Sequence, residues 1–165
     1  DFLIQGGLSS VIARGERVPD HSGWSVDIKH PHDREQVLAR VPLRQQALGT
    51  SGAEAQHFYD EQGRQLGHVI DPRSGRPADS VVSVTAVASD GATADALATA
   101  CYVLGPEQTH QLCERESNLG AVFVQAGQAG PAGQTKRLTR GYGVLQGLTG
   151  SPPGDTDSDA DPRCG

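Results

Sequence analysis

Trp24-Ser25-Val26-Asp27-Ile28-Lys29 alternates apolar and polar positions without a break, the period of a strand with one buried face. Phe2 to Gln5 is a short apolar run stopped by Gly6-Gly7, and Ser10 to Ala13 resumes it. Arg34 to Leu43 fits a short helix or a strand equally well, and Leu48 to Gly52 reads as a Gly-rich turn. Glu61-Gln62-Gly63-Arg64 predicts a hairpin turn with glycine in the left-handed position, returning as a strand over Leu66 to Ile70. Val81 to Ala88, rich in β-branched residues, is the best strand in the chain. The period then becomes helical. Ala94 to Leu104 is small or apolar nearly all round, which predicts a buried helix, and Gly105-Pro106 ends it. Pro106 opens a second, amphipathic helix to about Glu116. Gly120 to Gln125 is a strand, and Arg137 to Leu148 adds a weaker one.

These elements predict an α+β fold, a mainly antiparallel sheet with helices packed on it. With aromatics at 4%, its core has to rest on Val, Leu, Ile and Ala. The length of 165 residues suits one domain. Residues 149–165 form an acidic, Pro-rich tail without aromatics, expected to be disordered, which leaves 1–148 as the folded part. A net charge of −6, without basic patches interleaved with aromatics, argues against a nucleic-acid partner. No apolar run approaches the ~18 residues of a membrane span. Cys101, Cys113 and Cys164 lack zinc spacing and read as reduced, structural thiols. A chain opening Asp-Phe-Leu-Ile, with no signal peptide, reads as the interior of a longer protein.

Two stretches carry candidate chemistry. Asp95 and Thr99 stand four residues apart, so their side chains share a helix face, about 6 Å apart along the axis. Magnesium takes hard oxygen ligands, typically one or two carboxylates together with substrate phosphates. A carboxylate, a hydroxyl and a backbone carbonyl near a helix start suit that role. The same pattern also serves a dipole-pairing Asp and a packed Thr. His68 precedes Val69-Ile70-Asp71-Pro72 at a strand end, where an imidazole could move a proton or touch a phosphate; a half-exposed strand histidine is the plainer reading. Asp71 suits turn initiation, and Arg73 and Arg76 could hold a phosphate, with solvated turn residues the plainer reading. Thr50-Ser51-Gly52 lacks the Walker pattern, and His21, His30 and His32 have no metal-site partners in sequence.

In order and spacing the motifs resemble the C-terminal half of the ApbE family, the FAD:protein FMN transferases. The match runs through Phe2-Leu3-Ile4-Gln5-Gly6-Gly7, Trp24 to Ile28, and Thr50-Ser51-Gly52. It continues through His68 to Pro77, Val82-Ser83-Val84-Thr85, Ala94 to Ala100, and Val103-Leu104-Gly105-Pro106. The resemblance implies a T-fold-like domain and magnesium-dependent transfer of FMN from FAD to a Thr or Ser hydroxyl of an acceptor protein, releasing AMP. It implies that Asp95, Thr99 and the Ala98 carbonyl hold magnesium, that Ile70 contacts FAD, and that His68 is the motif histidine needed for transfer. The family's N-terminal half, with further FAD contacts, a metal ligand and a lysine near the flavin, has no counterpart here. Ala53-Glu54-Ala55 stands where the family often has Tyr, and Leu8 where Asp is frequent. The rival readings are a noncatalytic FAD- or nucleotide- and magnesium-binding module, and a truncated pseudoenzyme with an apolar face awaiting a cover. The setting implied is periplasmic and membrane-anchored, as for many members, or cytoplasmic.

Overall fold

The computed structural model describes residues 1–7, 9–15, 23–31, 33, 35–52, 57–125, 138–143 and 145. The expectations for the acidic tail, for Cys164, and for His21 and His32 lie outside them. The described fold is α+β. Six strands form one antiparallel sheet in the order β1 (Phe2–Gly6), β2 (Ser10–Arg14), β5 (Gln46–Gly52), β10 (Ser83–Ala88), β11 (Gly120–Gln125) and β12 (Leu138–Gly143). Between them in sequence lie three two-stranded ribbons: β3 (Trp24–Lys29) with β4 (Val37–Leu43), β6 (His57–Tyr59) with β7 (Gln65–Gly67), and β8 (Ile70–Asp71) with β9 (Arg76–Pro77).

Within the ambiguous Arg34–Leu43 stretch, Val37–Leu43 resolves as strand because β3 needs a partner. Val41 and Leu43 then join Ile28 in covering one face of the sheet, against Val11, Leu48, Val87 and Val122. Helix α1 (Gly91–Arg115) covers the opposite face, where Cys101, Tyr102 and Cys113 pack with Val84, Ala121 and Phe123. Strand period two makes this division: Val84 faces the helix and Val87 the ribbon. Strand β10 lies at the middle of the sheet, buried from Val84 to Ala88.

Leu48–Gly52 corrects the turn reading. It is the second half of β5, paired residue by residue with β10. The glycines there answer a neighbour. A Cβ on Gly49 would stand 2.6 Å from the Ala94 carbonyl oxygen, so the helix backbone rests directly on this strand. Gly63, by contrast, is the left-handed turn residue the sequence predicts (φ 73°). The returning strand is shorter than expected, since His68 and Val69 separate β7 from β8.

Helix α1 begins earlier than Ala94. Asp90 caps it, its carboxylate accepting from the Thr93 amide at 2.9 Å and from the Thr93 hydroxyl at 2.8 Å. The amide bond is the larger reason that the Asp90 carboxyl is held below its ordinary range. The helix is not buried all round: Asp95, Ala96, Thr99 and Ala100 are exposed, opposite Ala94, Ala98 and Cys101. The break predicted at Gly105-Pro106 is present, with Gly105 at φ 77°, and helical geometry resumes beyond it. Proline removes one amide donor and the glycine turns the chain, which leaves carbonyls of the preceding turn without helical partners.

The Cys101 and Cys113 thiols are buried and unpaired with one another. Burial pushes the Cys113 thiol up to about 11, with Cys101 adding to the rise, and pushes the Cys101 thiol up as well, so the reactive thiolate form is disfavoured at both. Beside them Thr109 is fully buried and its hydroxyl reaches no partner of ordinary hydrogen-bonding geometry among the described residues; the Cys101 sulfur, a weak acceptor, is the group it faces. Thr109→Val is therefore expected to be neutral or to raise the unfolding free energy by up to about 1 kcal/mol, measured by urea denaturation. A clear loss of stability would mean that the thiol contact satisfies the hydroxyl.

Candidate functional site

The first two turns of α1 and the end of β5 form the site. Ala47, Gly49 and Ser51 alternate onto the helix side of β5, and Ala47 packs with Ala94. These small residues let the helix descend. Thr99 then comes within hydrogen-bond reach of the strand, its Oγ1 2.9 Å from Ser51 Oγ. The helix carbonyl of Asp95 lies only at the limit of reach, 3.5 Å from the same hydroxyl. On the other side of β5, Thr50 Oγ1 pairs with Thr85 Oγ1 at 2.9 Å, so its hydroxyl belongs to the ribbon side and not to this cluster.

Asp95 falls in the second turn, beyond the capping residue, and so is no first-turn dipole partner. Its carboxylate makes no hydrogen bond or ion pair among the described residues. The helix N-terminus itself is occupied by Asp90, which removes the anion-binding argument drawn from a free helix start. Ala98 has a buried side chain inside regular helix, where its carbonyl already serves the helical ladder; a metal there would use its second lone pair.

The histidine motif docks on the same helix further along. His68 is exposed in the bend after β7, and Val69 behind it packs on the core shared by Leu97 and Val103. The Ala78 amide donates to the Val69 carbonyl at 2.9 Å, closing the small ribbon that holds Ile70, itself 47% exposed. Arg73 is an exposed turn residue, as the sequence reads, but one with several partners. Its guanidinium pairs with Asp71 at 2.9 Å and donates to the Val103 carbonyl and to Gln108 Oε1, both at 3.3 Å. Val103 lies just before the Gly105 break, so Arg73 meets a carbonyl at the negative end of the first helical stretch. Hydrogen bonds from Arg73, side chain first, hold the Asp71 carboxyl below its ordinary range. His30 serves its own loop, its Nδ1 accepting from the Asp33 amide at 3.1 Å.

Sequence reasoning missed the contact of Ser51 with Thr99 and Asp90 as the cap. Ser51 was within Thr50-Ser51-Gly52, but only the strand pairing shows which of these side chains faces the helix.

A model of the ApbE family matches residues 1–123. The chain belongs to the ApbE family. A curated relative named FAD:protein FMN transferase, from Escherichia coli strain K12, is 39% identical over 115 residues, covering 68% of this chain and 31% of the relative. Among solved structures, the ApbE protein of Thermotoga maritima gives a TM-score of 0.63 at 27% identity, over 82% of this chain and 42% of that one. The apo form of the Pseudomonas stutzeri flavinyl transferase ApbE gives 0.62 at 30% identity, over 85% and 40%. The chain thus spans less than half the length of these ApbE proteins.

The donor set suits the magnesium that the family implies. A carboxylate that makes no hydrogen bond or ion pair among the described residues and the Thr99 hydroxyl one turn on are hard oxygens, on an exposed surface that a phosphate can approach. No group of three or more His, Cys, Asp and Glu that could hold a metal occurs among the described residues, so at Asp95 one carboxylate would need hydroxyl, carbonyl and substrate oxygens to complete the set.

Proposed function

We propose that this chain carries the metal-binding and histidine portion of a magnesium-dependent transferase that moves FMN from FAD to a Thr or Ser hydroxyl of an acceptor protein. The observation that carries this reading is Asp95, whose carboxylate has no partner among the described residues, one turn from Thr99, whose hydroxyl meets Ser51 of the sheet. In the transfer, the acceptor oxygen bonds to the FMN phosphorus, the bond from that phosphorus to the bridging oxygen breaks, and AMP leaves with the bridging oxygen. When bound, magnesium would neutralise the pyrophosphate and favour the charge that develops as this bond breaks. Asp95 and Thr99 would hold it, with the Ala98 carbonyl as a further donor. Ile70, exposed on its ribbon, would contact FAD. His68 would accept the acceptor hydroxyl's proton, an exposed imidazole being well suited to that exchange.

His68→Ala in the flavin-transferring protein is expected to lower the transfer rate by ~10²–10⁴-fold while FAD still binds. Acceptor labelling followed by flavin fluorescence in gels measures the first, and FAD titration the second. Unchanged transfer would remove His68 from the mechanism.

A second reading, that the chain binds nucleotide and magnesium but transfers nothing without further polypeptide, is favoured by β1. Phe2, Leu3 and Ile4 are 47%, 39% and 55% exposed on an edge strand, an apolar surface of the kind another protein segment covers. Acceptor labelling by the 165-residue chain alone would exclude that reading.

A further inference from the structure

Thr99 presents a conformational problem. A threonine hydroxyl inside a helix ordinarily bonds back to the carbonyl four residues earlier, which spends its proton on the helix and turns the oxygen inward. Here that bond is stretched to 3.5 Å, while Ser51 Oγ stands at 2.9 Å, forty-eight residues away in sequence.

The juxtaposition follows from how the two elements run. Gly49 lies under Ala94, and Ser51 under Thr99. Two strand residues advance about 6.8 Å and five helical residues about 7.5 Å, so strand and helix keep step over this interval. Gly49 sets the depth, because any side chain there would meet the Ala94 backbone. Ser51, paired with Val84 of the central strand, is fixed by the sheet ladder rather than by the helix.

We propose that Ser51 is a positioning residue for Thr99: it accepts the Thr99 hydroxyl proton, locks that side chain in one rotamer, and leaves the Thr99 oxygen lone pairs facing the cation held with Asp95. This rests on the magnesium reading above and adds a residue to it. Ser51 acts through Thr99. Alanine at position 51 removes the anchor that holds the Thr99 side chain in one rotamer, so its oxygen is no longer kept beside Asp95 and the metal loses a ready ligand without losing the carboxylate.

The test uses the full 165-residue chain and Mn²⁺ as a paramagnetic probe. Three-bond couplings from the Thr99 methyl carbon report its rotamer without any metal. Free Mn²⁺, counted by electron paramagnetic resonance, reports affinity. In Ser51→Ala the single Thr99 rotamer is expected to become averaged or to switch, and Mn²⁺ to bind about tenfold more weakly, at the scale of a lost supporting contact. Ser51→Thr, which keeps a hydroxyl, should restore both. Thr99 couplings identical in wild type and Ser51→Ala overturn the proposal, as does unchanged Mn²⁺ affinity in Ser51→Ala when Asp95→Ala abolishes binding. If Asp95→Ala binds Mn²⁺ as wild type does, the magnesium reading itself has failed, and the couplings still decide whether Ser51 orients Thr99.

Discussion

Asp95→Ala is expected to abolish magnesium-dependent FAD binding and to lower flavin transfer at least ~100-fold, while the melting temperature stays where it was. The separation of the two effects comes from the residue's surroundings. Asp95 is exposed, sits in the second turn, and makes no side-chain hydrogen bond or ion pair among the described residues. A carboxylate whose place in the fold requires nothing of it can be removed without structural cost. Asp90, five residues earlier, is its structural counterpart, bonded to the Thr93 amide and hydroxyl. Calorimetry and an FAD titration with and without magnesium measure the two effects. A variant that keeps wild-type affinity and magnesium dependence would take Asp95 out of the site. One that melts early would give it a structural role instead.

Gly49→Ala is expected to produce the largest loss of stability of any single methyl added to the described sheet. The new Cβ would lie 2.6 Å from the Ala94 oxygen, 2.7 Å from the Ala94 carbonyl carbon and 2.8 Å from the Asp95 Cα. All three are backbone atoms in a capped helix, so no side-chain rotation relieves the overlap. The helix must lift from the strand, at a cost of about 1–3 kcal/mol or more. Lifting it also carries Asp95 and Thr99 away from Ser51, so metal affinity should fall together with stability. Urea denaturation and Mn²⁺ titration of the same variant read both. Stability within experimental error of wild type would mean that helix and strand are not seated this closely.

The elements that were legible in the sequence are those whose residues state a local geometry. Trp24–Lys29 alternates because its ribbon has one buried side. Gly63 and Gly105 occupy positive φ, and each is marked by its neighbours, a polar hairpin turn in one case and a following proline in the other. Gly49 and Gly52 misled for the opposite reason. Their glycines answer to packing against distant elements, Ala94 for one and Ser83 for the other, and nothing within the local window distinguishes that from a turn. The helix start was missed because Asp90-Gly91 resembles the end of a loop until the Thr93 amide is seen to bond the aspartate. For the candidate site, helical spacing alone put Asp95 and Thr99 on one helix face but left a metal pair and a dipole-pairing Asp with a packed Thr both open. The contacts of Ser51 and Arg73 were not legible, because each acts on a residue thirty or more positions away, on Thr99 and on the Val103 carbonyl respectively.

The most direct test of the account is FAD binding to the 165-residue chain, followed by flavin fluorescence in magnesium and then in excess chelator. The account predicts binding that magnesium strengthens about tenfold or more, that chelator reverses, and that Asp95→Ala no longer shows. FAD that binds equally well in chelator, or whose magnesium dependence survives Asp95→Ala, would contradict the assignment of a metal-dependent flavin site to Asp95 and Thr99.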